Sequence, residues 1–166
     1  MKHLFLTLAA FFLLSFTTDW TIITINDRIK VSMPGTPKPE VKNGNTLYNL
    51  FLDDSTKLTS MAIDMTAMGL NEEQVAELSL TDEFKTQFKQ GIQTEGLKVI
   101  KENYGQFKGV NYYEFEVEKR TDSKVTSFVM RTVFYKHYLI QLLHTPGTKG
   151  EDKVLKDKFF NSLQLL

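Results

Sequence analysis

The sequence holds no cysteine, 4 prolines, one tryptophan and no net formal charge, with 20 Lys and Arg balanced by 20 Asp and Glu over 166 residues. Each shortage excludes something. Without cysteine there are no disulfides, no thiolate zinc or iron–sulfur sites and no thiol nucleophile. Without a basic excess, a nucleic-acid binder that relies on a basic surface is disfavoured. Glycines are few and scattered, and no phosphate-cradling loop can be built from them. No apolar run reaches the roughly 18–20 residues that a membrane-spanning helix needs. What is present is 42% hydrophobic and 24% charged residues, a globular composition of one domain's length.

The first residues read as an address. Met1-Lys2-His3 is a short basic start, and residues 4–16 form an apolar run broken only by Thr7 and Ser15. That length suits the core of a secretory signal peptide, with Ser15 and Thr17 as the small residues before a cut after Thr17. The competing reading is a buried N-terminal helix of the folded protein. The expectation is a signal peptide over 1–17 and a single domain over 18–166, exported to a periplasm or extracellular space. The exported chain is then not membrane-spanning. A domain of about 150 residues buries about 68–70% of its unfolded surface, enough to stand without staples.

The remainder alternates between the two periodicities. Residues 20–25 and 28–33 predict a β-hairpin around Asn26-Asp27, ended by Pro34. The segment from Pro34 to Pro39 is read as unable to continue a sheet. Residues 47–52 and 58–65 predict two strands joined by the Asp53-Asp54-Ser55-Thr56 turn. Val75, Leu78, Phe84, Phe88 and Ile92 recur at helical spacing and predict helices over 72–78 and 80–93. Thr81 breaks the phase, Ser79 is the expected cap with Asp82 completing a capping box, and Gly96 is the stop.

Strands follow over 97–107, 110–119, 125–135 and 138–143, with Lys136-His137 as a two-residue turn lacking the usual Asn or Gly. Over 110–119 one face is Tyr113, Phe115 and Val117, and the other, Glu114, Glu116 and Glu118, reads as wet. Over 125–135 both faces are apolar, which marks a central strand covered from both sides. A helix over 151–160 carries the apolar stripe Val154, Leu155 and Phe159, and residues 163–166 add a short terminal strand. The fold class expected is α+β: a central antiparallel sheet covered by helices on both faces, an α/β/α sandwich, with an N-terminal β-hairpin.

Candidate chemistry is sparse. No His spacing suits a metal and no Gly-x-Ser-x-Gly motif supports a serine nucleophile. His137 falls in a turn and His144 at a strand end. Asp53-Asp54-Ser55 lacks calcium-loop spacing and reads as a polar turn. Pro34-Gly35-Thr36-Pro37 matches P-x-x-P, but a strand stop explains it. Asp64 and Arg131 are the charged residues inside apolar runs; they point outward, face a groove, or pair with each other. Tyr104, Tyr112, Tyr113, Tyr135 and Tyr138 crowd the predicted sheet and serve either the core or an interface. No catalytic, cofactor-binding or metal residue is assigned, and no cofactor is expected.

Three stretches together resemble the PsbP/Mog-type superfamily: Ile29-Lys30-Val31-Ser32-Met33-Pro34-Gly35-Thr36-Pro37, Gly109-Val110-Asn111-Tyr112-Tyr113-Glu114-Phe115, and Phe159-Phe160-Asn161-Ser162-Leu163. The first is similar to the "strand, then Pro-Gly-x-Pro" opening of small exported bacterial members of the DcrB-like kind, and the last to their "helix, then Phe-x-x-Ser-Leu" ending. The resemblance implies a hairpin followed by an antiparallel sheet between helices. It also implies a binding or assembly factor, as with extrinsic photosystem subunits, Ran-binding proteins and DcrB-like envelope proteins. None of their partner-binding residues has a counterpart here.

Three functions compete. The first is a non-enzymatic, exported binding or assembly module with another envelope protein as its partner. The second is a hydrolase or other enzyme whose site gathers scattered residues such as Asp64, Arg131 and His144. The third is a carrier of a small apolar ligand between sheet and helix. Convergence of the three polar residues in one cleft decides for or against that form of the second.

Overall fold

Ten strands and three helices form among residues 19–94, 96–121 and 124–166, which are the residues described by the computed structural model. The expected signal peptide over 1–17 lies outside them. Strands β1 (Thr21–Asn26) and β2 (Ile29–Met33) make the predicted hairpin. β3 (Lys38–Lys42), β4 (Asn45–Phe51) and β5 (Lys57–Asp64) follow. Helices α1 (Glu72–Leu78) and α2 (Asp82–Thr94) come next. A meander of β6 (Leu97–Phe107), β7 (Val110–Thr121), β8 (Lys124–Tyr135) and β9 (Tyr138–Thr145) then leads to α3 (Lys153–Asn161) and β10 (Gln164–Leu165).

The large sheet has seven antiparallel strands in the order β3-β4-β5-β9-β8-β7-β6. The helical crossover after β5 lets the meander return so that β9 lies against β5. The two strands apolar on both faces, β8 and β9, therefore sit near the middle. One face carries α1 and α2, packed on Tyr113, Phe115, Val117, Met130 and Phe134. The other carries the hairpin and α3, packed on Leu58, Val133, Ile140 and Leu142. The α/β/α expectation needs amending there. Much of that second layer is a small three-stranded sheet, β1-β2-β10, in which the C-terminal strand completes the N-terminal hairpin. Ser162 ties the two ends together: its Oγ accepts from Ser32 N at 2.9 Å while its single hydroxyl proton has Phe159 O at 2.7 Å as the nearer acceptor.

Local departures from the expectations have plain causes. β3 was not expected, because Lys-Pro-Glu-Val-Lys reads as polar loop. It is an edge strand paired only with β4, and Pro39 is tolerated there because an edge strand has an unpaired side. The capping box belongs to α1, where Asn71 and Gln74 bond reciprocally. Ser79 is instead the C-cap of α1, and Thr81, the residue that broke the phase, accepts from Phe84 N at 3.2 Å at the start of α2. Gly96 takes φ 75° just past α2, as the helix stop requires. Asp152 caps α3 through Leu155 N, so the acidic residues precede that helix rather than fill its first turn. Val154 is 80% exposed, and Phe160 takes its expected place beside Phe159 in the core.

Candidate functional site

The face under α2 divides into two halves. The inward stripe of α2 is Phe84, Phe88 and Ile92, one residue per turn. Over β6, β7 and β8 the two phenylalanines meet more rings. Phe88 stacks on Phe115 with centroids 6.0 Å apart, and Tyr113 meets Phe134 edge-on at 4.7 Å and Tyr104 at 5.0 Å. Tyr113 donates to Ser79 O at 2.7 Å, and burial pushes its phenol up to about 12. Burial, then the nearby Glu102 carboxylate, pushes Tyr104 up to about 12 as well. Two of the five sheet tyrosines are thus core members on this face; Tyr112, Tyr135 and Tyr138 pack half-buried on the other.

Over β4, β5 and β9 the part of this face that lines the groove carries no rings: beyond Asn45 at the hairpin tip it is Leu47, Met61, Ile63, Gln141 and Leu143. The helix does not cover them. A groove of about 630 Å³ opens between α2 and the β3–β4 hairpin. It runs from Lys42, Asn43 and Asn45 at the hairpin tip, over Met61 and its register partner Gln141, to Phe128 and Leu97. Three strand spacings separate β4 from β8, or about 15 Å.

Gly91 forms part of the helical wall. It sits inside α2 with an ordinary helical φ, and a Cβ built on it would meet nothing within 4 Å. A mid-helix glycine costs about 1 kcal/mol relative to alanine. Here neither a turn nor a close backbone approach requires it. Gly91 was missed in the sequence, although a glycine inside a helical run was the available signal. Gln141 is the polar member of the floor, and its side-chain amide has no hydrogen-bond partner among the described residues.

The residues singled out from sequence do not gather. Asp64 ends β5 and caps a 3-10 turn, accepting from Thr66 N at 2.9 Å and Thr66 Oγ1 at 2.6 Å, and these bonds hold its carboxyl below the usual range. His137 Nε2 lies 4.0 Å from it. Arg131 pairs not with Asp64 but with Glu114, its register partner on β7, at 2.6 Å. The Arg131 guanidinium lies 5.0 Å from the Tyr112 ring and 4.8 Å from the Phe160 ring. The glutamate face of β7 is thus partly covered at Glu114 rather than uniformly wet.

His144 is fully buried, with neither ring nitrogen hydrogen-bonded. Burial, aided by Lys156, pulls its pKa below the ordinary value. It borders a void of about 40 Å³ shared with Glu116, Ser127 and Glu151, room for little beyond water. Asp64 is opposite Tyr138 and His144 lies six residues further along β9, roughly 20 Å away. The enzyme constellation read from sequence therefore does not form.

Other concavities offer less. A polar one between α2 and β6 is lined by charges that already pair, Lys85 with Asp82 and Lys89 with Glu102, both at 2.8 Å. Pro34 and Pro37 are buried, so the P-x-x-P stretch is not presented. Asp54 accepts from Thr56 N at 3.0 Å within its turn, as a polar hairpin should. Among the described residues no group of three metal-ligating side chains could hold an ion, and no helix is long and apolar enough to cross a membrane.

No family model and no curated protein matches the chain. Solved structures do. Cyanobacterial PsbP (CyanoP) from Synechocystis sp. PCC 6803 superposes with a TM-score of 0.63 at 12% identity, over 90% of this chain and 94% of that one. A protein from Bacteroides thetaiotaomicron VPI-5482 superposes with a TM-score of 0.56 at 9% identity, over 86% of this chain and 47% of that one. At such identities the likeness is one of fold, which does not fix function. The seven-stranded antiparallel sheet, the small sheet beside it and the three helices are the PsbP-like fold.

Proposed function

We propose that this chain is an exported, non-enzymatic binding protein whose ligand seat is the groove between α2 and the open half of the sheet. Its volume of about 630 Å³ lies within the roughly 300–1,000 Å³ of small-molecule sites. Its wall and floor are mostly aliphatic, with a few placed polar groups, as such sites require. The observation that carries the reading is Gly91. At that position a helix forgoes a better helix former and leaves open space facing the groove.

Of the three functions read from sequence, the carrier of a small apolar ligand gains the most support. The enzyme loses its constellation. A partner protein of the envelope loses part of its tyrosine surface, since Tyr104 and Tyr113 pack into the core. Export rests on the N-terminal sequence.

The test is a fluorescence titration with N-phenyl-1-naphthylamine, an uncharged apolar probe that brightens when it leaves water. The wild-type protein should bind it saturably. Gly91→Phe, which fills the groove from the wall, should weaken binding at least tenfold, while Gly91→Ala should bind as wild type. No saturable binding by the wild-type protein, or equal binding by Gly91→Phe, overturns the reading.

A further inference from the structure

The residues lining the groove carry one ionisable side chain, Lys42, and no carboxylate. The chain as a whole has as many acids as bases, so this one-sided lining is a local feature of the groove. Lys42 makes no ion pair among the described residues, unlike Lys85, Lys89 and Lys156, each of which has a carboxylate partner. It stands at the hairpin end of the groove beside Asn43 and Asn45. Asn45 Nδ2 donates to Asn43 O at 3.3 Å, which helps hold the tip in shape. The opposite end, at Phe128 and Leu97, is apolar.

Glu40 shares the face of β3 with Lys42 but stays outside the lining, where its carboxylate accepts from Asn49 Nδ2 at 3.2 Å. The Lys42 end of the groove therefore favours a negative charge, and the other end favours hydrocarbon. We infer that the ligand is an unbranched alkyl chain bearing a terminal carboxylate, its head at Lys42 and its tail lying over Met61 and Leu143 toward Phe128. This deepens the proposed function and rests on it. A lysine suits the task because its ammonium is a mobile point charge on a flexible stem, so it reaches a head group at the mouth without being buried. Charge complementarity sets the orientation of the chain, and apolar contact supplies most of the affinity. Gln141, midway along the floor, disfavours a ligand that is rigid and apolar along its whole length. A flexible chain passes it and leaves its amide to water.

The test is displacement of bound N-phenyl-1-naphthylamine by dodecanoate, dodecanol and dodecyltrimethylammonium, each below its critical micelle concentration. Dodecanoate should compete at least tenfold more tightly than either of the others. Lys42→Glu should abolish that preference while its thermal unfolding curve and circular dichroism match the wild type, which shows that the fold is intact. Equal competition by the three chains, or a carboxylate preference that survives Lys42→Glu, overturns this inference and leaves the groove reading standing. Failure of the probe and of all three chains to bind overturns both.

Discussion

The two halves of the sheet face on the side of α2 belong to one continuous sheet and carry different side chains. Over β6, β7 and β8 the strand residues are Tyr104, Tyr113, Phe115 and Phe134, and their rings interlock with Phe84 and Phe88. Over β4, β5 and β9 the strand residues that line the groove are aliphatic except for the amides Asn45 and Gln141, and a glycine stands opposite them in the helix wall. Aromatic side chains bring large area and prefer edge-on partners, so a few of them close a layer completely. Aliphatic residues of modest length do not span the gap left by a helix of 13 residues. One half is consequently core and the other a groove, on a single continuous face.

Truncation should separate the halves most sharply. Phe115→Ala removes a fully buried ring and should cost about 3–5 kcal/mol. Met61→Ala, on the half-buried groove floor, should cost about 1 kcal/mol, well under the 2–5 kcal/mol of a buried methionine. Urea unfolding of both variants checks this, and equal losses would mean that the groove is as tightly packed as the core.

The opposite face of the sheet supplies the next contrast, because a charge pair is closed into its core. Arg131→Met removes the cation that lies against the Tyr112 and Phe160 rings and leaves Glu114 without its partner; it should cost about 2–3 kcal/mol, less than a fully buried pair because Glu114 keeps some contact with water. Restoring most of that stability with Glu114→Leu added would identify the stranded carboxylate as the cause.

Gly91→Ala should act in the other direction. It adds a methyl to open space in a helix and should stabilise by up to about 1 kcal/mol in thermal unfolding. A loss would mean that the helix wall is closer to the floor than the groove requires.

The smallest effect is a slope with pH. Burial holds His144 neutral in the folded state, with its pKa below the ordinary value. The unfolded chain therefore binds the proton more readily than the folded one. Stability is full above the ordinary imidazole pKa of about 6.5 and is lost as pH falls below it, toward the depressed folded value. Melting curves of His144→Leu should lack that part of the acid slope; an unchanged slope would assign it to other groups.

Much of the fold was legible in the residues themselves. Alternation over 110–119 and 125–135 distinguished a one-sided strand from a two-sided one, and the latter, β8, lies near the middle of the sheet. Gly96 and Pro34 stop a helix and a strand for local reasons, because φ > 0 and a missing N–H act wherever they occur. β3 was not legible, because an edge strand so polar forms only once β4 presents its unpaired side. Spacing assigns Val154 to the core, yet Val154 is exposed and Phe160 is buried beside Phe159 instead, because the inward face of α3 is chosen by what it packs against.

The candidate site divides the same way. The apolar residues of the groove were visible as strand and helix positions, but nothing in their order says that Phe88, Met61 and Gln141 border one space. Arg131 was flagged by its charge in an apolar run; its partner Glu114 emerged only from the register of β7 against β8. The sequence by itself determined the local elements and their apolar faces, since period, caps and breakers act over a few residues. The tertiary structure alone decided which apolar positions are filled and which stand open, because that depends on where a helix ends above strands distant in the chain.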